Sequence, residues 1–317
     1  MMRYYAIIEI SSNALECTII KYRNTQCLIV ARKKVQIHLE QYLANYSKFN
    51  QRAMQKTAWI LNQFEKVREA YQCEYTFVFM TRKLQVLKNT ILLTRMINEA
   101  FEQKVNYFKS ETEAYLGFIG LQSRVPIHNG IFLQSNNAHI DLAFCQEQAN
   151  IELVSLHYKN DSFEADINEN SNDAIQQFKD TILRETKEKN FNELFQYLII
   201  DLEITNDLRK LLFYKKPPFM LVEEMKKQLD LYLMCNEEQL AMIKELPKKR
   251  RLYFKEGLIP IIAVIEALPI GEVCLEPFNI TDGIISLLNE EMIESTQQLT
   301  ELLNNEVLSN LSKSSSN

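Results

Sequence analysis

The chain has 317 residues, of which 46% are hydrophobic and 24% are charged. This length and composition are typical of a soluble globular protein of about two domains. The net charge of −5 excludes the overall basic field of a protein that binds duplex nucleic acid. No apolar run approaches the roughly 20 residues that span a bilayer, and the first residues lack the order of a signal peptide. We therefore expect a cytoplasmic protein that contacts neither a membrane nor duplex nucleic acid.

Two residue counts limit the chemistry further. The six cysteines are scattered without a C-x-x-C pair, which argues against a zinc knuckle or a disulfide framework and predicts free thiols. Glycine occurs 6 times, whereas average usage of about 7% would give roughly twenty. Because phosphate-binding loops use the positive φ and the close backbone approach that glycine allows, the sequence predicts few such loops.

Hydrophobic periodicity predicts an α/β module in the first part of the chain. Apolar or alternating runs predict strands at 3–10, 15–22, 26–37, Tyr75–Met80 and Val105–Phe108. Apolar residues at steps of three and four predict helices within 39–71, at Thr90–Glu102 and from about Ser110. The segment Ser110-Glu-Thr-Glu113 has the form of a capping box, which favours a structural role for Glu113 on spacing alone.

The second part of the chain repeats this organisation. Strands are predicted from Gly130, Ile140 and Asn150, at 198–202 and at Glu272–Leu275, and helices at 170–196, 206–245, Leu258–Leu268 and Asp282–Glu291. Two meanders, each followed by helices, indicate that one module occurs twice, and Pro126 marks the boundary. We predict one domain at 1–124, a second at 125–293, and a C-terminal helix with a disordered tail at 294–317.

The first two strands enclose a polar turn at residues 9–13. Such a turn connects strands, and it can hold a phosphate if its backbone N–H groups point outward. The turn alone does not decide between these roles, but later segments fall into register with it.

The order of these segments is more informative than any one of them. They are, along the chain, Ala6–Ala14, Thr81–Asn89, Thr112–Leu121, Gln134–Leu142, Lys249–Gly257 and Asn279–Gly283. In that order they resemble the motifs A-x-I-D-I-G-S-N-S, T-S-A-L-R-E-A-x-N, E-E-A-R-L-x-Y-x-G-V, D-I-G-G-G-S-T-E-L, E-R-A-D-x-x-x-x-G and G-L-R-E-G of the exopolyphosphatase / guanosine-pentaphosphate phosphohydrolase (Ppx/GppA) family. The resemblance runs from residue 3 to about residue 290.

The resemblance implies two actin-like (ribonuclease H-like) α/β domains with a cleft between them, and a homodimer. The family's catalytic carboxylate, which activates the attacking water, carries over to Glu113. Its metal-binding carboxylates carry over to Glu9 and Asp141, which would hold Mg²⁺ if the chain is active. Its phosphate-binding positions carry over to Ser11, Ser12, Asn13, Asn136, Asn137, Ala138, His139 and Arg250. The implied ligands are polyphosphate and guanosine penta- or tetraphosphate.

Several of these positions depart from the family's pattern. Gln134 replaces an aspartate, and a neutral amide is a poor ligand for Mg²⁺. Ser11 replaces a glycine of the first loop, and residues 136–138 replace three glycines of the second. Losing one group that stabilises developing charge costs on the order of 10²–10³ in rate, and losses of groups that act together do not simply add. The sequence therefore predicts a weakly active or inactive pseudo-enzyme that is retained for binding a ligand or partner.

Two alternatives stay open. In the first, the chain is an active Mg²⁺-dependent exopolyphosphatase or related phosphoanhydride hydrolase that uses Glu113 as base together with Glu9 and Asp141. In the second, it is an interaction protein that works through its C-terminal leucine stripe and the basic segment 244–256. The cations of that segment are Lys244, Lys248, Lys249, Arg250 and Arg251.

Overall fold

The computed structural model describes residues 3–11, 14–23, 26–37, 51–81, 84, 90–125, 127–136, 139–145, 151–157, 171–187, 194–202, 204–213, 218–246, 248–275 and 279–289. Within these ranges the strands are β1 Arg3–Ile10, β2 Ala14–Arg23, β3 Gln26–Gln36, β4 Tyr75–Met80, β5 Asn106–Tyr107, β6 Gly130–Asn136, β7 His139–Cys145, β8 Ile151–His157, β9 Phe195–Asp201, β10 Phe219–Leu221 and β11 Ile270–Cys274. The helices are α1 Gln51–Ala70, α2 Thr90–Phe101, α3 Ser110–Gln122, α4 Ser171–Thr186, α5 Thr205–Leu212, α6 Val222–Met234, α7 Glu237–Met242, α8 Lys248–Ala267 and α9 Ile280–Leu288. The protein is therefore of the predicted α/β class.

The described residues form two compact units, which divide between Val125 and Pro126. The first unit contains residues up to Val125 and also the described segment 279–289, whereas the second contains the rest. This division differs from the predicted one, in which 279–289 belonged to the second domain. The physical reason is that α9 packs on α3 and contacts β3, and local periodicity gives no sign of such long-range contacts.

The first unit is built on a sheet whose described strands have the order β3-β2-β1-β4-β5. The pairs β1–β2 and β2–β3 are antiparallel, whereas β1–β4 and β4–β5 are parallel. Because side chains alternate along a strand, Ala6, Ile8 and Ile10 enter a core that also contains residues of α1 and α2. Glu9 and Ile7 project from the opposite face of β1. This alternation places Glu9 on the side of the sheet where α9 makes its contacts.

Two glycines permit the close contact between α3 and α9. A Cβ atom on Gly283 would lie 2.0 Å from the backbone oxygen of Leu116, and one on Gly120 would lie 2.7 Å from the backbone oxygen of Asn279. All six glycines of the chain lie in described helices or strands, and none of them has a positive φ. At these two positions glycine therefore serves the close packing of two helices.

The second unit repeats the strand arrangement of the first. Its described strands have the order β10-β11-β9-β6-β7-β8, so that an antiparallel meander is again continued by two parallel strands, β9 and β11. The strand β10 adds an antiparallel edge that the first sheet lacks. The strands β6, β7, β8, β9 and β11 thus occupy the places of β1, β2, β3, β4 and β5. The repeated module that the two meanders predicted is confirmed at the level of topology.

Some elements differ from their predicted bounds. The short strand β10 was not predicted, since three residues give no measurable alternation. The helix α8 begins at Lys248 rather than near Leu258, because its basic first turn hides the apolar period. The predicted C-terminal helix and tail lie outside the described residues. All six cysteines are free, as predicted, and none of the described helices combines the length and apolar character that crossing a membrane requires.

Candidate functional site

The first hairpin brings two carboxylates side by side. In the antiparallel register of β1 and β2, Glu9 lies opposite Glu16. Neighbouring residues in such a pair have Cβ atoms about 5 Å apart and point to the same face. Glu16 is 3% exposed although it is charged. Two carboxylates so placed require donors or cations nearby, since a buried charge without a partner is costly.

Side chains of β3 supply two cations to Glu16. Arg32 Nε lies 3.2 Å from Glu16 Oε1, and Lys34 Nζ lies 3.3 Å from Glu16 Oε2. Lys34 stands directly opposite Glu16 in the β2–β3 register. Thr18 also donates a hydrogen bond to Glu16 Oε1, at 3.4 Å. Both oxygens of the buried carboxylate are therefore bonded.

The N-terminal end of α9 completes this cluster. Asn279, the N-cap of α9, accepts a hydrogen bond from the Thr281 amide and donates one to Glu16 Oε1, at 3.1 Å. The Thr281 hydroxyl donates to Glu9 Oε2 at 3.0 Å. Asp282 pairs with Arg32 and lies 4.0 Å from Arg124. The carboxylates of the hairpin thus hold the end of a helix whose dipole favours negative charge there.

The ionisation of Glu9 reflects this setting. Burial and the neighbouring charge of Glu16 raise the pKa of Glu9 from 4.5 to about 7. The hydrogen bond from Thr281 and the charges of Lys34 and Arg32 act in the opposite direction but do not outweigh burial. Near neutral pH the Glu9 carboxyl group is therefore present in both protonated and ionised forms.

The predicted first phosphate loop is closed by Ser11. Its hydroxyl donates to the Ala14 carbonyl at 2.8 Å and accepts from the Ala14 amide at 3.2 Å. The Ser11 amide donates to the same carbonyl at 2.9 Å. These bonds close the hairpin, so that the hydroxyl has a structural role here. The predicted phosphate ligands Ser12 and Asn13 lie outside the described residues.

Glu113, the predicted base, lies half-buried in the first turn of α3. The predicted capping box is wrong: Lys109 is the N-cap of α3, without a side-chain cap bond, and Ser110 is its first helical residue. The helix begins one residue earlier than the box requires, so Glu113 is not at the third position of the first turn. Glu111 and Glu113 in this turn are still placed favourably for the helix dipole.

In the second unit, Asp141 occupies the position that Glu16 has in the first. Asp141 lies opposite Gln134 in the β6–β7 register and opposite Ser155 in the β7–β8 register. The Ser155 hydroxyl donates to Asp141 Oδ1 at 2.6 Å, and Asp141 is 2% exposed. The predicted glycine replacements Asn137 and Ala138 lie outside the described residues. Asn136 ends β6 and His139 begins β7, and the structure describes their backbone alone.

Arg250, the predicted phosphate ligand of α8, pairs with a buried aspartate. Its Nη1 atom lies 3.2 Å from Oδ2 of Asp207, which lies on α5 and is 2% exposed. Arg251 donates to the Leu246 carbonyl at 3.3 Å. Of the other predicted cations, Lys244 and Lys248 are exposed, and the side chain of Lys249 is outside the described set.

These contacts do not fit a divalent cation at Glu9. Glu16, the nearest described carboxylate in the strand register, already bonds two cations, which would repel Mg²⁺. Asp141 is buried and bonded to Ser155. Among the residues that the structure describes, no three His, Cys, Asp or Glu side chains form a group that could hold a metal ion. The assignment of Glu9 and Asp141 as metal ligands stays a prediction, and their described contacts weigh against it.

Sequence reasoning missed Glu16, Arg32, Lys34, Asp207, Asn279, Thr281 and Asp282 as members of these clusters. Glu16 gave a usable signal, because a charged residue inside the apolar run of β2 needs a partner. Its partner Arg32 follows from the meander once the register is known. Thr281 and Asp282 lie in the segment that resembles the G-L-R-E-G motif, but that segment gave no sign of their partners, since their contacts join distant parts of the chain.

Comparison with known proteins identifies the family. The model of the Ppx/GppA phosphatase family matches residues 18–192. No curated protein matches the chain. A crystal structure of the Aquifex aeolicus Ppx/GppA family member is similar, with 13% identity, coverage of 92% of this chain and 100% of that chain, and a TM-score of 0.69. A further structure of the Aquifex aeolicus enzyme gives 13% identity, 90% and 100% coverage, and a TM-score of 0.71.

An exopolyphosphatase from Cytophaga hutchinsonii gives 14% identity, coverage of 92% of this chain and 100% of that chain, and a TM-score of 0.67. At such identities the likeness shows the fold, which is the two-domain actin-like α/β fold that the sequence predicted. The repeated sheet order of the two units agrees with it. Since the family model spans more than half of the sequence, this chain belongs to the Ppx/GppA phosphatase family.

Proposed function

We propose that this chain is an exopolyphosphatase-like protein that binds polyphosphate or guanosine penta- or tetraphosphate and hydrolyses it slowly or not at all. The family supports the class of ligand. The observation that supports low activity is the burial of Asp141. This residue is 2% exposed and lies between Gln134 and Ser155 in the sheet. Hydrolysis of a phosphoanhydride requires cations that neutralise the phosphate oxygens. A buried carboxylate that already accepts a hydrogen bond from Ser155, opposite a neutral Gln134, is poorly suited to hold such a cation.

The contact between Arg250 and Asp207 supports the same conclusion. A guanidinium that neutralises a buried aspartate has less of its charge available for a phosphate. The exposed cations Lys244 and Lys248, near the beginning of α8, are the described side chains that we assign to anion binding. The proposal also includes the expected cytoplasmic location and a homodimer, and light scattering at several protein concentrations tests the dimer.

Phosphate release tests the proposed low activity. Purified protein is incubated with polyphosphate or guanosine pentaphosphate and Mg²⁺, and inorganic phosphate is measured over time. We expect little or no sustained release. The matched variants are Glu113→Ala and Glu111→Ala, which remove carboxylates from the same turn of α3. Sustained release that Glu113→Ala abolishes and Glu111→Ala preserves would contradict the proposal and establish the active hydrolase instead.

Binding of polyphosphate tests the other half of the proposal. We expect binding that weakens with salt, because exposed charges are screened. The double variant Lys244→Glu/Lys248→Glu should bind at least about tenfold more weakly, since each reversal changes the local charge by two units. The control Lys187→Glu/Lys227→Glu makes the same change at two other exposed lysines of the second unit. Equal loss of binding in both double variants, or no loss in either, contradicts the assignment of anion binding to Lys244 and Lys248.

A further inference from the structure

The two carboxylates of the first hairpin lie next to two positively charged side chains of β3. Glu9 and Glu16 form a cross-strand pair, and pairs of carboxylates of this kind are common oxygen ligands of divalent cations. In the neighbouring strand β3, Lys34 lies opposite Glu16, and Arg32 lies two residues before Lys34. Both cations are within 3.3 Å of Glu16.

The contacts around Glu16 occupy the positions that a cation would require. Oε1 receives Arg32, Asn279 and Thr18, and Oε2 receives Lys34. The side chain of Glu16 is 4% exposed, so water can contribute few further ligands. Mg²⁺ demands near-octahedral oxygen ligation and usually keeps several waters. A cation beside Glu9 would therefore have to displace side-chain cations that are fixed in the same sheet.

We infer that Arg32 and Lys34 supply in this chain the positive charge that a divalent cation supplies at the carboxylates of a metal-dependent phosphohydrolase. The positive charge at the hairpin is then carried by side chains of the protein and not by a bound ion. It holds Glu16, and through Asn279 and Asp282 it fastens the beginning of α9. The first unit consequently binds no divalent cation at Glu9, and its stability does not depend on Mg²⁺.

Removing the two cations tests this inference. In Arg32→Gln/Lys34→Gln, the carboxylates of Glu9 and Glu16 lose their internal neutralisation. We expect the variant to bind one additional Mn²⁺ per chain relative to the wild type, measured by electron paramagnetic resonance of the free ion. The additional ion should raise the midpoint of thermal unfolding, because it binds the folded state. Introducing Glu16→Gln into the variant should abolish both effects.

Three comparisons make the result decisive. Arg68→Gln breaks the ion pair with Glu65 on α1 of the same unit, and it should gain no Mn²⁺. Glu9→Gln in the wild type should leave Mn²⁺ binding unchanged, whereas loss of one bound ion there would overturn the inference. If the double variant does not fold by circular dichroism, Lys34→Gln alone removes a cation whose side chain is 53% exposed. A folded variant of either kind without any gain in Mn²⁺ binding would also overturn it.

This test is separate from that of the proposed function. Mg²⁺-dependent phosphate release by the wild type would contradict the proposed low activity. It would leave the inference intact as long as Glu9→Gln does not change Mn²⁺ binding. A Mn²⁺ ion bound at Glu9 in a wild type that releases no phosphate would overturn the inference and leave the proposed low activity intact.

Discussion

Among single residues, Glu9 makes the stability of the protein depend on pH. Its pKa is about 7 in the folded protein against 4.5 as the ordinary value. The folded state therefore binds more protons between these two values, and its stability falls as pH rises through that window. Relative to Glu9→Gln, the wild type should lose up to about 3 kcal/mol of unfolding free energy between pH 4.5 and pH 8. Urea unfolding at several pH values measures this difference, and a difference that does not change with pH would contradict the prediction.

A second prediction for single residues concerns Arg250, which was predicted to bind phosphate but forms an ion pair with Asp207. Burial raises the pKa of Asp207, and the charge of Arg250 opposes this shift. Arg250→Gln should therefore cost about 1–2 kcal/mol, less than for a fully buried pair because Arg250 is partly exposed. In an Asp207→Asn background the same change should cost clearly less, as a double-mutant cycle by urea unfolding would show. Equal costs in both backgrounds would mean that the pair contributes nothing.

The residue-scale predictions from the sequence succeeded where a pattern along the chain was sufficient. Glu9 was placed in the first hairpin, although it lies in β1 and not in the turn at 9–13 to which the sequence assigned it. Gln134 and Asp141 lie in the equivalent hairpin of the second unit. The ion pairs were not predicted, since Glu16 with Arg32 and Arg250 with Asp207 depend on sheet register and on helix packing. Whether Glu113 acts as a base stays a prediction.

At the scale of elements, the contact between α3 and α9 depends on Gly283. A Cβ there would lie 2.0 Å from a backbone oxygen of Leu116, and the backbone cannot give way as a flexible side chain would. Gly283→Ala gains up to about 1 kcal/mol of helix propensity, but the overlap should outweigh this gain. We expect a net loss of about 1–3 kcal/mol, measured by urea unfolding. The control Gly271→Ala, whose added Cβ would be 3.3 Å from the nearest atom, should cost less.

The strands were the elements that the sequence predicted best. β1 to β4 and β6 to β8 have apolar runs or alternation that end at polar turns, and this signal needs no tertiary information. The start of α3 was predicted correctly at about Ser110, whereas its N-cap is Lys109 and not Ser110 as the capping box required. The start of α8 was missed because exposed and ion-paired basic residues occupy its first turn.

For the whole molecule, the repeated module was predictable and the return of the chain to the first unit was not. Two meanders in sequence order predict one module that occurs twice, and five strands of each sheet share the same order, to which the second sheet adds β10. The placement of α9 rests on contacts between residues more than 150 positions apart, such as Gly283 with Leu116 and Thr281 with Glu9. No periodicity within a helix contains that information.

This placement makes the first unit incomplete without α9. The helix buries Ile280, Ile284 and Leu288, and its first residues bond Glu9 and Glu16. A fragment of residues 1–125 would expose the surface that receives α9 and leave the buried Glu16 without Asn279. We expect this fragment to lack a cooperative thermal transition, whereas a fragment of residues 126–277 should keep one.

Restoring α9 to the short fragment provides the decisive comparison. Asn279 lies against Gly120 near the end of α3, so a linker of about six Gly and Ser residues can join residue 125 to residue 279. This fused chain, which ends at Asn289, should regain a cooperative transition in circular dichroism because it restores the apolar contacts and the hydrogen bonds to both carboxylates. The same fusion with Thr281→Val and Asn279→Ala should be less stable, since Glu9 and Glu16 each lose a donor. If residues 1–125 alone unfold with the same midpoint as the fused chain, α9 is dispensable and the division of the chain into these two units does not describe how it folds.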